Sequence, residues 1–103
     1  MPEYEVKRKG SQVTIKPARD VVASSVPDLR QKIKELVDDG VKAVKIDLSR
    51  ASMVDSMGIG LFIAAYNTLQ KVGGTLEIVK VSPDILSLFR TMRIDQHFSV
   101  SGT

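Results

Sequence analysis

Apolar and polar residues alternate with period two in SQVTIKP, where Val13 and Ile15 interleave with Thr14 and Lys16, and YEVKRKG precedes it. Gly10-Ser11 lies between the two runs, so the pattern predicts a β-hairpin. After the connection ARDVVASS the period changes, and Leu29, Ile33, Leu36 and Val37 fall on one stripe of a helix. Ser25 followed by Asp28 resembles a capping box, Pro27 is tolerated in a first turn, and Gly40 supplies a C-terminal stop. Period two returns in AVKIDLS, with Val44, Ile46 and Leu48 on one side and Lys45 and Asp47 on the other. The pattern then predicts a second helix from near Ser56 to Gly73-Gly74 and a strand at TLEIVKV. A third helix is opened by Ser82-Pro83, with Ile85, Leu88, Phe89 and Met92 at helical spacing, and QHFSV reads as a short last strand.

The predicted order is β-β-α-β-α-β-α with a final β. Strands alternating with helices imply parallel pairing and right-handed crossovers. Strands covered on both faces read as continuous apolar runs, whereas QVTIK and AVKIDLS alternate. The expectation is an α/β fold, one domain over residues 1–103, with a mixed four- to five-stranded sheet. Its helices pack mainly on one face and the opposite face is more polar, which argues against a receiver-type or dinucleotide-binding sandwich.

Composition narrows the chemistry. A chain of 103 residues holds one domain with a modest core. No residue is cysteine, which excludes disulfides, thiolate chemistry and thiolate zinc sites, and agrees with a cytoplasmic location. MPEYEVKRKG has no apolar run behind its charges, so no signal peptide is expected. The most apolar segment, Met57 to Tyr66, is about half of the roughly 20 residues a membrane helix needs, so no membrane insertion is expected. The net charge of +3 is mild, and Lys7-Arg8-Lys9 is the only basic triplet; it reads as a solvated strand edge and no nucleic-acid partner is expected.

Enzymatic motifs fail one by one. A nucleophile elbow needs a glycine where Val54 stands, and a serine nucleophile needs a base, while the only histidine, His97, lies beside Phe98 near the C-terminus. Gly58 and Gly60 are followed by Leu61 and Phe62 rather than the Lys-Ser/Thr of a P-loop, and Ile63 stands where a dinucleotide fingerprint has its third glycine. No His/Asp/Glu cluster has metal-ligand spacing. No catalysis, cofactor or metal is expected.

The turn VDSMGIG, between a strand and a helix, is the candidate site. Glycine in a helix costs roughly 1 kcal/mol relative to alanine, so the pair Gly58 and Gly60 calls for a reason. One reading makes Ser56 a plain N-cap with Asp55 favouring the positive helix end. The other makes the turn a place of approach. The two glycines leave amides accessible, Met57 and Ile59 add apolar surface, and a phosphate on a serine at a helix N-terminus is stabilised by unpaired amides and the dipole.

The stretch IDLSRASMVDSMGIGLFIAAYNTLQKVGGTLEIVKVSPDILSLFRTMRIDQHF resembles the anti-anti-sigma factors of the STAS domain family. It carries that family's strand ending in D-L-S, its hydrophobic-D-S-x-G-x-G turn, the helix, G-G, the next strand and the short third helix. The resemblance implies that Ser56 is the acceptor for a serine kinase that is also an anti-sigma factor, and that phosphorylation switches binding to that partner off. It also implies a partner-binding surface of Asp20, Asp55, Ser56, Met57, Gly58, Ile59 and Gly60, in which Asp20 of KPARD is the acid near the acceptor. The chain is expected as a monomer or weak dimer. The alternative function is a non-phosphorylated STAS subunit of a transporter or signalling scaffold.

Overall fold

The computed structural model describes residues 4–102. Its elements are β1 (Tyr4–Lys9), β2 (Gln12–Pro17), α1 (Val26–Asp38), β3 (Ala43–Asp47), α2 (Ser56–Lys71), β4 (Thr75–Val81), α3 (Pro83–Thr91), a 3-10 turn at Ile94–Gln96 and β5 (Ser99–Gly102). They form a five-stranded sheet in sequence order, antiparallel between β1 and β2 and parallel from β2 to β5. Gly10, at φ +64, turns the hairpin.

The period-two pattern sets the two faces. Val13 pairs with Val44 and Ile15 with Ile46, while Val44 pairs with Leu76 and Ile46 with Ile78. All of these are buried beneath Leu29, Ile33 and Leu36 of α1, Leu61, Phe62 and Leu69 of α2, and Ile85 and Phe89 of α3. Phe62 and Phe89 are fully buried and meet edge to face, 6.0 Å between centroids, a favoured geometry for aromatic pairs. On the other face Lys7 pairs with Thr14, Thr14 with Lys45, and Lys45 with Glu77, a row of polar side chains. The expected mixed sheet with helices on one face is therefore present, with five strands.

The helix ends follow their local signals except at α1. Ser82 Oγ accepts from the Ile85 amide at 3.2 Å and caps α3. Gly40 (φ +93) and Gly73 (φ +73) end α1 and α2 in the left-handed region, as glycine allows. Ser25 does not form the expected capping box. It is buried, and its hydroxyl bonds the Asp20 and Val22 carbonyls and the Val22 amide, stitching its own loop rather than the helix. The last strand begins at Ser99, later than QHFSV suggests, because Ile94–Gln96 coil first and bury Ile94 and Phe98.

Candidate functional site

Two loops that follow parallel strands, residues 18–25 after β2 and 48–55 after β3, meet at the carboxyl end of the sheet, where open α/β sheets place their binding surfaces. They are zipped by an isolated parallel bridge between Val21 and Val54. The Val21 amide donates to the Met53 carbonyl at 3.1 Å, and the Asp55 amide to the Val21 carbonyl at 3.2 Å.

Two carboxylates lock this zipper. Asp20 Oδ1 accepts from the amides of Ser52 (2.7 Å) and Met53 (3.1 Å) and from the Ser52 hydroxyl (3.0 Å). Asp55 accepts from the Gly58 amide at Oδ1 (2.9 Å) and from the Ala23 amide at Oδ2 (3.0 Å). Both are held below the ordinary carboxylate value, Asp20 chiefly by the Ser52 amide and Asp55 chiefly by the Gly58 amide, because these donors favour the charged form.

The cap of α2 is thus Asp55, not Ser56. Adjacent Asp and Ser are both good N-caps, and the choice is made by the second bond of Asp55, to Ala23 across the zipper. Ser56 becomes the first helical residue. It is exposed, and its hydroxyl makes no hydrogen bond among the described residues. Met53 and Met57, at 53% and 50% exposure, stand in the chain on either side of it as apolar surface on a loop and a first helical turn.

The expected partner-binding set divides. Asp20, Asp55, Ser56, Met57 and Gly60 lie on or at the surface. Gly58 and Ile59 are buried, which is a correction to their expected place on that surface. A Cβ at Gly58 would come 2.4 Å from the Val21 carbonyl oxygen and 2.8 Å from Val54 Cγ1, so this glycine lets the helix approach the zipper. Its amide is already taken by Asp55. Ile59 is core. Gly60 has open space where its side chain would be. Asp20 and Asp55 are tied into the loops rather than free. Sequence reasoning missed Met53 and the Ala23 amide, since neither loop has a period to read.

Among the described residues no group of three or more His, Asp or Glu could hold a metal ion, and no helix is long and apolar enough to cross a membrane. The site offers an unengaged hydroxyl, apolar flanks and two committed carboxylates.

The STAS domain model matches residues 3–103. The chain is 29% identical over 85 residues to the anti-sigma-B factor antagonist of Bacillus subtilis (strain 168), covering 82% of this chain and 77% of that protein. Its backbone is similar to an anti-sigma factor antagonist from Mycobacterium paratuberculosis (TM-score 0.84, 24% identity, 97% of this chain and 85% of that one). It is also similar to the anti-sigma factor antagonist SpoIIAA in its unphosphorylated form (TM-score 0.77, 20% identity, 97% of this chain and 87% of that one). The phosphorylated form of SpoIIAA fits equally well (TM-score 0.76, 20% identity, 94% and 89%).

Proposed function

The chain belongs to the STAS domain family, and on that premise we propose that it is an anti-anti-sigma factor whose docking to an anti-sigma factor with serine kinase activity is switched off by phosphorylation of Ser56. The observation that carries this reading is the exposed, unengaged Ser56 hydroxyl on the first turn of α2, with its neighbour Asp55 doing the capping. A serine needed only as a cap would be bonded to the helix. The name of the Bacillus subtilis relative supports the class of partner.

The transfer uses ATP held by the partner. Ser56 Oγ attacks the γ-phosphorus, the bond to the ADP oxygen breaks, and the hydroxyl proton passes to a base on the kinase. Asp55 is a poor base for that proton, because the Gly58 and Ala23 amides hold its carboxylate below the ordinary value and so favour its charged form. The chain contributes a presented hydroxyl and no catalysis of its own.

The same carboxylate explains how the switch acts. A phosphate adds about −1.5 to −2 charges, and the Asp55 carboxylate already fills the helix N-terminus where an anion would settle. The phosphate therefore remains at the surface, repelled by Asp55 and held out among Met53 and Met57. Docking then requires a doubly charged group to be desolvated, and each 1.4 kcal/mol lost is about tenfold in affinity. The fold itself changes little.

The test is incubation of the purified chain with its cognate anti-sigma kinase and ATP, followed by mass spectrometry. One phosphate on the peptide containing Ser56, absent from Ser56→Ala, is expected, together with release of the complex. Phosphate elsewhere, or a stable complex that ATP does not alter, overturns the switch and favours a non-phosphorylated scaffold role.

A further inference from the structure

The open face of the sheet, opposite the helices, carries a basin unconnected with Ser56. Cross-strand partners share a face, so the row Lys7–Thr14–Lys45 and the neighbouring pair Glu5–Lys16 point the same way. A hollow of about 130 Å³ is lined by Glu5, Lys7, Thr14, Lys16, Asp47 and Lys80. It adjoins a wider depression that reaches Lys45 and Ser101.

Alternating lysine and carboxylate on an open sheet is ordinarily cross-strand ion pairing, and part of this face is that. Lys45 lies 3.8 Å from Glu77, Lys80 3.7 Å from Asp47, and Arg50 3.2 Å from Glu5. Those three pairs use every carboxylate of the basin and its rim. Lys7 and Lys16 remain, with no carboxylate at ion-pair distance among the described residues, although Lys16 acts on the Asp47 carboxylate at longer range. They stand diagonally across β1 and β2 on either side of the Thr14 hydroxyl.

The backbone supplies a second observation. Lys80 sits at φ +56, a conformation that side chains disfavour, in a β-bulge where the β4–β5 register slips between Ile78 and Val81. Glycine would be the unstrained residue there. A lysine held in this conformation brings a further ammonium over the basin, next to Asp47, whose side chain is only 10% exposed. Strained positions held against their preference concentrate at binding sites.

We propose that this basin binds the phosphate group of a small, soluble phosphorylated molecule, with Lys7 and Lys16 as its cations, Thr14 as a hydroxyl donor and Lys80 held over it by the bulge. Two surplus positive charges match one phosphate dianion. Glu5 and Asp47 line the basin itself and Glu77 stands beyond it opposite Lys45, so a continuous polyanion such as a nucleic acid would run onto carboxylates. The ligand is compact.

The probe is inorganic pyrophosphate, titrated into the ¹⁵N-labelled full chain at constant ionic strength, with sodium chloride as the matched control. The expected result is saturable amide shifts confined to Lys7, Thr14, Lys16 and Lys80 and their strand neighbours. Lys7→Gln with Lys16→Gln weakens binding at least tenfold while the amide spectrum elsewhere is unchanged. Lys80→Gly relieves the backbone and keeps the melting temperature or raises it, yet also weakens binding, which separates a ligand role from a structural one. Shifts that do not saturate, that spread equally to Lys32 and Lys34 on α1, or that persist in the double variant overturn the proposal.

Discussion

Replacing Gly58 by alanine places a methyl group against backbone. The new Cβ would lie 2.4 Å from the Val21 carbonyl oxygen, 2.8 Å from Val54 Cγ1 and 3.1 Å from Val21 Cγ1. Side-chain rotation relieves the contacts with the two valines but not the one with the carbonyl. The carbonyl must retreat, and it is the acceptor for the Asp55 amide, so the shift also pulls at the cap of α2. Overpacking of this kind costs about 1–3 kcal/mol, and alanine restores up to about 1 kcal/mol of helix propensity. Because the nearest contact is backbone, the upper part of that range applies and the net loss is about 1–2 kcal/mol. At about 4–8 °C per kcal/mol for a domain of this size, the melting temperature falls by about 5–15 °C. Gly60→Ala is the internal control, since its methyl enters open space on the same helix. It gains about 0.5–1 kcal/mol and melts a few degrees higher. Thermal melts of both variants followed by circular dichroism decide the matter. If Gly58→Ala melts at or above the parent, or if the two variants move together, the zipper does not need a glycine at position 58 and the account of this turn is wrong.

Ser56→Asp is expected to weaken binding to the cognate kinase by tenfold or more in calorimetric titration with an unchanged melt, whereas Ser56→Ala binds and is not released by ATP; a Ser56→Asp chain that binds like the parent refutes the surface switch. Asp20 and Asp55 are both depressed in the folded state, so their contribution is present above the unfolded carboxylate value near about 3.9 and is lost as pH falls through the folded values. The melting temperature should hold from neutral pH to about pH 5 and drop below about pH 4, with a shallower drop in Asp55→Asn; equal slopes in parent and variant would count against the clamp. Phe62→Ala removes a fully buried ring packed on Phe89 and should cost about 3–5 kcal/mol, read from the denaturant midpoint.

What the sequence determined by itself is the part governed by short-range periodicity. The interleaving of Val13 and Ile15 with Thr14 and Lys16 is enough to assign one sheet face to the core and the other to water, because side chains alternate along any strand. The stripe Leu29, Ile33 and Leu36, the Ser82 cap and the stops at Gly40 and Gly73 are equally local, since each depends on residues within a turn or two. The position of VDSMGIG between a strand and a helix was legible for the same reason.

The roles within that turn were not. Asp55 and Ser56 are equivalent as caps to any local rule, and the choice falls to Asp55 through the Ala23 amide, 32 residues earlier in the chain. Gly58 and Gly60 look alike in sequence, yet one is packed against Val21 and the other faces open space. Ser25 has capping chemistry and spends it on its own loop, and Lys80 reads as an ordinary strand residue until β5 pairs beside it and the register slips. In each case two local options of similar free energy compete, and a contact between loops or strands distant in the chain selects one. That selection is what leaves the Ser56 hydroxyl free at the surface, because the neighbouring carboxylate has taken the helix end.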